Sequence, residues 1–448
     1  MHSTEIRLFA SSVKVLQQGT TKWIGKNNSR GSSRAHRKPP IEYKPRDPDS
    51  TSTSAGPRLG PKRKVACLFG YNGTGYSGLQ FNPDTDKTIE SDLFKGLVAS
   101  GLVSKENSTD LKKVGFMRAA RTDKGVHAAG NLVSFKAVLP QDSESTVDGM
   151  KRVVENINQH LPEKIRVWGL NRVTKGFNCK NMCGSRVYEY LIPSYVVLPP
   201  RADSYLGKKL GMTTDVKFWA DLADKSDQEK YQALKDYRIS EKLLSDLKAV
   251  FQIYQGGHNF HNYTIGKDFL DPSSKRYIDS VNVSDPQIID NTEWISIKLH
   301  GQSFMIHQIR KIISMGILTI RTDTPLAKVQ QTFNNHKLNI PKAPSLGLLL
   351  EHPVYDGYNR LITNKFTHLS PITFEPYQSE IDGFKKNSIY MEIYEQENQE
   401  WVFWKYFRYL DDFDIEDNNG GSDFIFEYLG RNSGNIPVPR AIDVEIDN

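Results

Sequence analysis

The chain has 448 residues, 38% hydrophobic and 25% charged, a length that holds one large domain or two to three ordinary ones. No apolar run approaches the roughly 18 residues a membrane-spanning helix needs, so the composition reads as a soluble globular protein. The net charge of +7 is uneven: residues 1–64 carry 14 basic against 4 acidic side chains, 65–370 carry 39 against 31, and 371–448 carry 6 against 17. A basic body with an acidic tail suits a polyanionic partner such as nucleic acid, although an excess this small also fits an ordinary solvated surface.

Three cysteines, Cys67, Cys179 and Cys183, make no disulfide framework and point to a reducing compartment. Cys179 and Cys183 stand four apart, but no second pair completes a zinc site, so free thiols are expected and no metal.

The first 40 residues hold one acidic residue, Glu5, and eight basic ones. A short basic amphipathic helix there, from Ile6 to Leu16, has the character of a mitochondrial presequence; a disordered basic tail is the alternative. Pro61-Lys62-Arg63-Lys64-Val65 resembles a nuclear signal, so residence in either compartment is open, with the acid-poor start leaning to the mitochondrion. Residues 28–60 are rich in Ser, Pro, Gly, Arg and Thr and read as linker.

Order begins near Lys64. Val65–Phe69 is an apolar strand, and Thr88–Gly101 a helix with Ile89, Leu93 and Leu97 on one face, Thr88 as its cap and Gly101 at its end. Val114–Ala119 and Leu132–Leu139 are strand-like. Asp148–Leu161 is a second helix, stopped by Pro162, and Ile165–Val173 another strand. The plan then repeats: a helix around Leu243–Phe251, an alternating strand Trp294–His300, a long apolar helix Phe304–Ile320 and a buried strand Leu346–Leu350. Strands and helices in two similar runs predict an α+β fold with a mainly antiparallel sheet. The expected division is a basic leading segment over 1–62, a first core half over 63–180, a second over 181–370 with a peripheral helical insertion at about 201–242, and an acidic extension over 371–448. That extension is expected to lie along one face of the core as a helix.

Gly73-Thr74-Gly75-Tyr76-Ser77-Gly78 matches the dinucleotide-binding glycine pattern after a strand. That reading needs a helix to open at the third glycine, where a pyrophosphate would sit. Here Leu79-Gln80-Phe81-Asn82-Pro83 follows instead, so a nicotinamide-dependent oxidoreductase is the weaker alternative. The glycines serve a tight turn beside a ligand or RNA.

Arg118-Ala119-Ala120-Arg121-Thr122-Asp123-Lys124-Gly125-Val126-His127-Ala128 joins two strands. Asp-Lys-Gly alone is turn chemistry. Three flanking cations are not, and a carboxylate among them stays ionised, as a nucleophile requires.

This segment resembles the signature of the TruA-type tRNA pseudouridine synthases, in wording like their eukaryotic branch and its mitochondrial relatives. Five further segments resemble the family in order: Tyr71 to Gln80, Arg186-Val187-Tyr188-Glu189-Tyr190, Gly256 to Thr264, Phe304 to Ile313 and Gly347-Leu348-Leu349-Leu350. Ala120 stands where bacterial members commonly have glycine. The resemblance implies two ferredoxin-like halves sharing one sheet, with RNA in a basic cleft between them. It implies a cofactor-independent isomerisation of uridine in tRNA, with mRNA or small nuclear RNA as further possible substrates. Asp123 would be the nucleophile. Tyr188 would stack on the flipped base, Arg310 would pair with Asp123, and Leu348 would wall the pocket. Arg121 would fill the vacated space or hold a phosphate, and Arg118, Lys124, Lys112, Lys113 and Arg186 would contact RNA. Bacterial relatives dimerise and eukaryotic ones act alone, which leaves monomer or homodimer open. An RNA-binding protein that kept this fold and lost catalysis is the second alternative; Asp123, Tyr188 and Arg310 all being present argues against it.

Overall fold

The computed structural model describes residues 62–140, 143, 147–411, 425 and 428–430. The targeting and linker readings of residues 1–61 lie outside them.

Strand β1 (Lys62–Tyr71) grows from the apolar run at Val65, and its last seven residues are buried. Helix α1 (Ile89–Ala99) starts where the Thr88 hydroxyl accepts the Ser91 N–H at 3.2 Å, and the chain leaves it through Gly101 at φ +81°. Strands β2 (Met117–Arg118) and β3 (His127–Val138) flank the Asp123 loop; α2 (Val147–Gln159) and β4 (Ile165–Arg172) complete a βαββαβ unit. A second such unit follows. It consists of β5 (Ser185–Pro193), α3 (Glu241–Gln252), the short edge strand β6 (Gly256–Asn259), β7 (Lys275–Val283), the short β8 (Gln287–Ile289), β9 (Thr292–Gly301), α4 (Gln308–Arg321) and β10 (Leu348–Val354).

The ten strands form one sheet in the order β4-β1-β3-β10-β5-β9-β7-β6, with β2 paired to β3 and β8 to β9. Within the first half the order is β4-β1-β3-β2, and within the second β10-β5-β9-β7. Both read fourth, first, third, second, the ferredoxin-like arrangement in duplicate. Pairing inside each half is antiparallel. The halves join where β10 runs parallel to β3, Leu349 opposite His127 and Leu350 opposite Ala128.

Two expected elements change. Of the strand foreseen over Val114–Ala119, only Met117 and Arg118 pair, because Leu111–Val114 is a 3-10 turn capped by Asp110 and released through Gly115 at φ +64°. The long helix begins at Gln308 and not at Phe304: His307 adopts φ +62°, ψ +1°, a left-handed conformation that a right-handed helix cannot include.

The insertion forms helices Tyr205–Lys209, Lys217–Ala220 and Asp227–Asp236, buried through Leu206, Trp219, Tyr231 and Leu234. The acidic extension is helical where described: Gln378–Phe384, a π-helical turn Lys385–Tyr390, Met391–Glu400 and Val402–Asp411. Its acids are used internally. Asp411 pairs with buried Arg321, Glu392 with Lys164 at 3.5 Å, and Glu397 accepts from the Tyr195 hydroxyl and from the Phe403 N–H at 2.6 Å. Lys385 is buried between Glu189, 2.9 Å away, and Glu351. Since neighbouring residues of a strand point to opposite sides, Lys385 meets β5 on the face away from Tyr188, while Phe403 of the extension packs edge-on against Tyr190, on the side that Tyr188 shares.

Candidate active site

Asp123 sits in the loop between β2 and β3, and the loop is built from behind. The Tyr71 and Thr122 hydroxyls are 2.8 Å apart, Asn131 donates to the Ala120 carbonyl at 3.3 Å, and the Leu79 N–H donates to the Thr122 carbonyl at 3.2 Å. The Val126 N–H closes a turn on the Asp123 carbonyl at 3.2 Å, and Gly125 takes φ +75° at its corner. The glycine-rich segment 73–78 packs here too. Gly78, at φ +109°, lies so close that a Cβ would stand 3.1 Å from the Thr122 carbonyl oxygen. The Gly73 N–H donates to Nδ1 of buried His127 at 3.1 Å, and burial holds that imidazole neutral, down to about 4. The glycine pattern therefore supports the Asp123 loop, and no helix opens at Gly78 for a pyrophosphate: α1 begins only at Ile89.

Asp123 keeps about half of its side chain exposed, at 49%. Its Oδ2 lies 3.4 Å from His307 Nδ1. The contact is longer than a tight charge-assisted hydrogen bond of about 2.8 Å. That contact, with the fields of Arg310 and Lys342, holds the carboxyl below its usual range against the opposing effect of partial burial. Arg310 does not form the direct pair that was expected. Its Nε donates to the Ala343 carbonyl at 2.6 Å, and it acts on Asp123 through space. The left-handed turn at His307 puts the imidazole, and not the arginine one turn later, against the carboxylate.

Sheet register brings in the second half. Ala128, Leu350, Tyr188 and Leu299 stand opposite one another across β3, β10, β5 and β9. Tyr188 is buried, edge-on to Phe304 with ring centroids 5.2 Å apart. Burial raises its phenol to about 12, the Asp123 charge pushing the same way, so it stays neutral and retains its proton. Leu348 is buried opposite Tyr190, whose hydroxyl donates to the Pro344 carbonyl at 2.6 Å. The result is an ionised carboxylate, a neutral phenol and several cations gathered near the join of the two halves.

Residues 250–356 match the family described as tRNA pseudouridine synthase. A tRNA pseudouridine synthase 1 from Kluyveromyces lactis is 44% identical over 402 residues, 79% of this chain and 70% of that protein. The chain belongs to the tRNA pseudouridine synthase family. The Saccharomyces cerevisiae tRNA pseudouridine synthase 1 is 42% identical over 80% of this chain and 72% of its own length, and the mouse pseudouridylate synthase 1 homolog is 35% identical over 77% and 73%.

In this tRNA pseudouridine synthase the basic residues singled out from the sequence do not form one group. Arg121 and Lys124 are exposed on the Asp123 loop. Arg186, on β5, reaches across the join: its Nη2 donates to the Ala119 carbonyl at 3.0 Å and its Nη1 to the Gln302 carbonyl at 3.3 Å. Arg118 is taken up by the fully buried carboxylate of Glu90, which gives it a structural task. Lys112 and Lys113 are not brought to Asp123. Lys113 lies beside Lys62, Lys136 and Val138, at the far end of β3 and roughly 35 Å of strand from His127. His307 and Lys342 went unrecognised. An α4 expected to begin at Phe304 hid the turn at His307, and Lys342 lies in a loop with no periodic signal. Among the described residues no cluster of three or more His, Cys, Asp or Glu is placed to hold a metal, and no helix is long and apolar enough to cross a membrane.

Proposed function

We propose that this chain converts uridine to pseudouridine in tRNA, with Asp123 as the reacting carboxylate. The observation that carries the reading is the ionised Asp123 set beside His307 of the other half, close enough to neutral Tyr188 for its charge to act on the phenol. The C1′–N1 bond breaks, the uracil rotates, and a C1′–C5 bond forms; C5 loses its proton and N1 gains one, so no cofactor enters. Whether Asp123 acts at C1′, at C6 of the base or on a sugar proton, it must be ionised. A uridine in tRNA must first leave its stack, at a cost of a few kcal/mol. Arg121 on the loop suits the space left behind, Leu348 the pocket wall, and Lys124 and Arg186 the flanking phosphates.

The test is release of tritium from tRNA labelled at uridine C5, comparing wild type with Asp123→Ala. Release by wild type alone is expected. Absence of release by wild type across a broad tRNA pool would remove the enzyme reading and leave an RNA-binding protein of this fold. Messenger and small nuclear RNA belong in the same assay, because readout of structured RNA rests largely on shape and phosphate contact. Mitochondrial against nuclear residence follows from imaging a tagged chain with and without residues 1–40, and monomer against dimer from light scattering.

A further inference from the structure

Four cations lie near one another on the second half without a carboxylate of their own, and two of them, Arg310 and Lys342, act on Asp123. Arg310 and Lys311 are consecutive on α4, and Lys337 and Lys342 lie on the loop that leads into β10. The loop is stitched down on both sides of its lysines. Asn262 donates to the His336 carbonyl at 2.8 Å and accepts the Leu338 N–H at 2.8 Å, while its own carbonyl accepts Lys311 Nζ at 3.2 Å. Farther along, the Ala343 N–H donates to the Arg310 carbonyl at 3.1 Å and its carbonyl accepts Arg310 Nε at 2.6 Å. Lys337 and Lys342 are thereby held next to Lys311 and Arg310, both with exposed side chains. Lys337 Nζ donates to the Lys267 carbonyl at 2.7 Å. No ion pair within 4 Å is formed by any of the four among the described residues.

Several other cations in this protein meet a carboxylate, although buried Lys328, like Lys311, is held by backbone carbonyls, those of Tyr428 and Gly430. Arg321 has Asp411, Lys385 has Glu189 and Glu351, and Arg118 has Glu90. Lys311 is as buried as Arg321 and Lys385 but is held by the carbonyls of Asn262 and Thr264, at 3.2 and 3.0 Å. Burial pushes its ammonium down to about 8, and Lys337 and Lys342 push it the same way. Like charges gathered this closely destabilise one another unless an anion joins them. Asp123, facing Lys342 and Arg310 from the other half, supplies a single negative charge.

We propose that Lys337 and Lys342 bind one RNA phosphodiester next to the target uridine, supplying from the substrate the negative charge that this cluster lacks. The inference rests on the tRNA reading and adds the place on the second half where the backbone is gripped. A backbone phosphate held there is gripped by the second half, while Arg121 and Lys124 are exposed on the Asp123 loop of the first.

The experiment measures binding of an unmodified tRNA transcript to the full chain as a function of KCl. Each phosphate contact contributes between about 0.7 and 0.9 to the slope of log affinity against log salt. Lys337→Ala/Lys342→Ala is expected to lower the slope by about that amount and to weaken binding about tenfold near 100 mM salt. Lys337→Arg/Lys342→Arg is expected to restore both. Lys112→Ala/Lys113→Ala removes the same charge at the far end of β3 and is expected to leave the slope alone. An unchanged slope in the alanine pair overturns the proposal, and so does an equal loss in the Lys112/Lys113 pair, which would mean a diffuse field. A melting temperature near wild type shows that the variants fold. Failure of wild type to release tritium would instead sink the isomerase reading, and slopes measured on the same RNA would still judge the phosphate site.

Discussion

His307 Nδ1 lies 3.4 Å from Asp123 Oδ2, a contact that ties the turn before α4 in the second half to the loop before β3 in the first. The carboxyl is held low chiefly by this contact, with Arg310 and Lys342 adding to it and burial opposing. Removing the imidazole raises the carboxyl toward its ordinary range. In His307→Asn the acid limb of the single-turnover rate is therefore expected to move to higher pH, with the rate at neutral pH close to wild type because Asp123 stays ionised there. A rate that falls while the limb stays in place would mean that His307 acts on something other than Asp123.

Arg118 and Glu90 form a buried pair. Arg118→Ala leaves that carboxylate uncompensated and is expected to cost about 3 kcal/mol in urea unfolding. Adding Glu90→Gln should recover most of it. Salt dependence of tRNA binding by the recovered double variant should match wild type; a lower slope would make Arg118 a phosphate contact after all.

Gly75 and Gly78 both take positive φ, +86° and +109°, so alanine is strained at either, by about 1–2 kcal/mol. Only at Gly78 does a Cβ meet the Thr122 carbonyl and the Asp123 backbone; at Gly75 nothing lies within 4 Å. Equal losses of stability are expected, together with a much larger loss of single-turnover rate for Gly78→Ala. Equal rate losses would show that the loop tolerates the shift.

Burial holds both His127 and His352 down to about 4. An unfolded histidine takes up its proton near pH 6.5, so between 6.5 and 4 the unfolded chain binds more protons than the folded one. Stability from this source is complete above pH 6.5 and is lost as pH falls toward 4, by on the order of 2–3 kcal/mol for each histidine. The urea midpoint should drop between pH 7 and 5, and His352→Gln should flatten that drop. A midpoint independent of pH over this range would contradict both assignments.

Much of the architecture was legible because it rests on local periodicity. The apolar stripe of α1, its Thr88 cap and the Val65–Phe69 strand follow from side-chain spacing and terminal chemistry alone. Weakly patterned pieces escaped. β7 alternates only loosely, with exposed Lys275 and Tyr277, and the extension, expected as one helix, breaks into several, its acidic composition giving no sign of Glu397 or Asp411 turning inward.

From its residues alone this chain determined two similar runs of strands and helices and an Asp123 loop whose flanking cations keep its carboxylate ionised. Those follow from hydrophobic spacing, turn chemistry and the cations adjacent in sequence. Tertiary structure alone decided which cations reach that carboxylate. Arg118 went to Glu90, Lys112 and Lys113 went to the far end of β3, and His307 and Lys342 came in from about 180 and 220 residues away. Electrostatic contact acts over a few ångströms of space whatever the separation along the chain, and the parallel join of β3 to β10 sets that space.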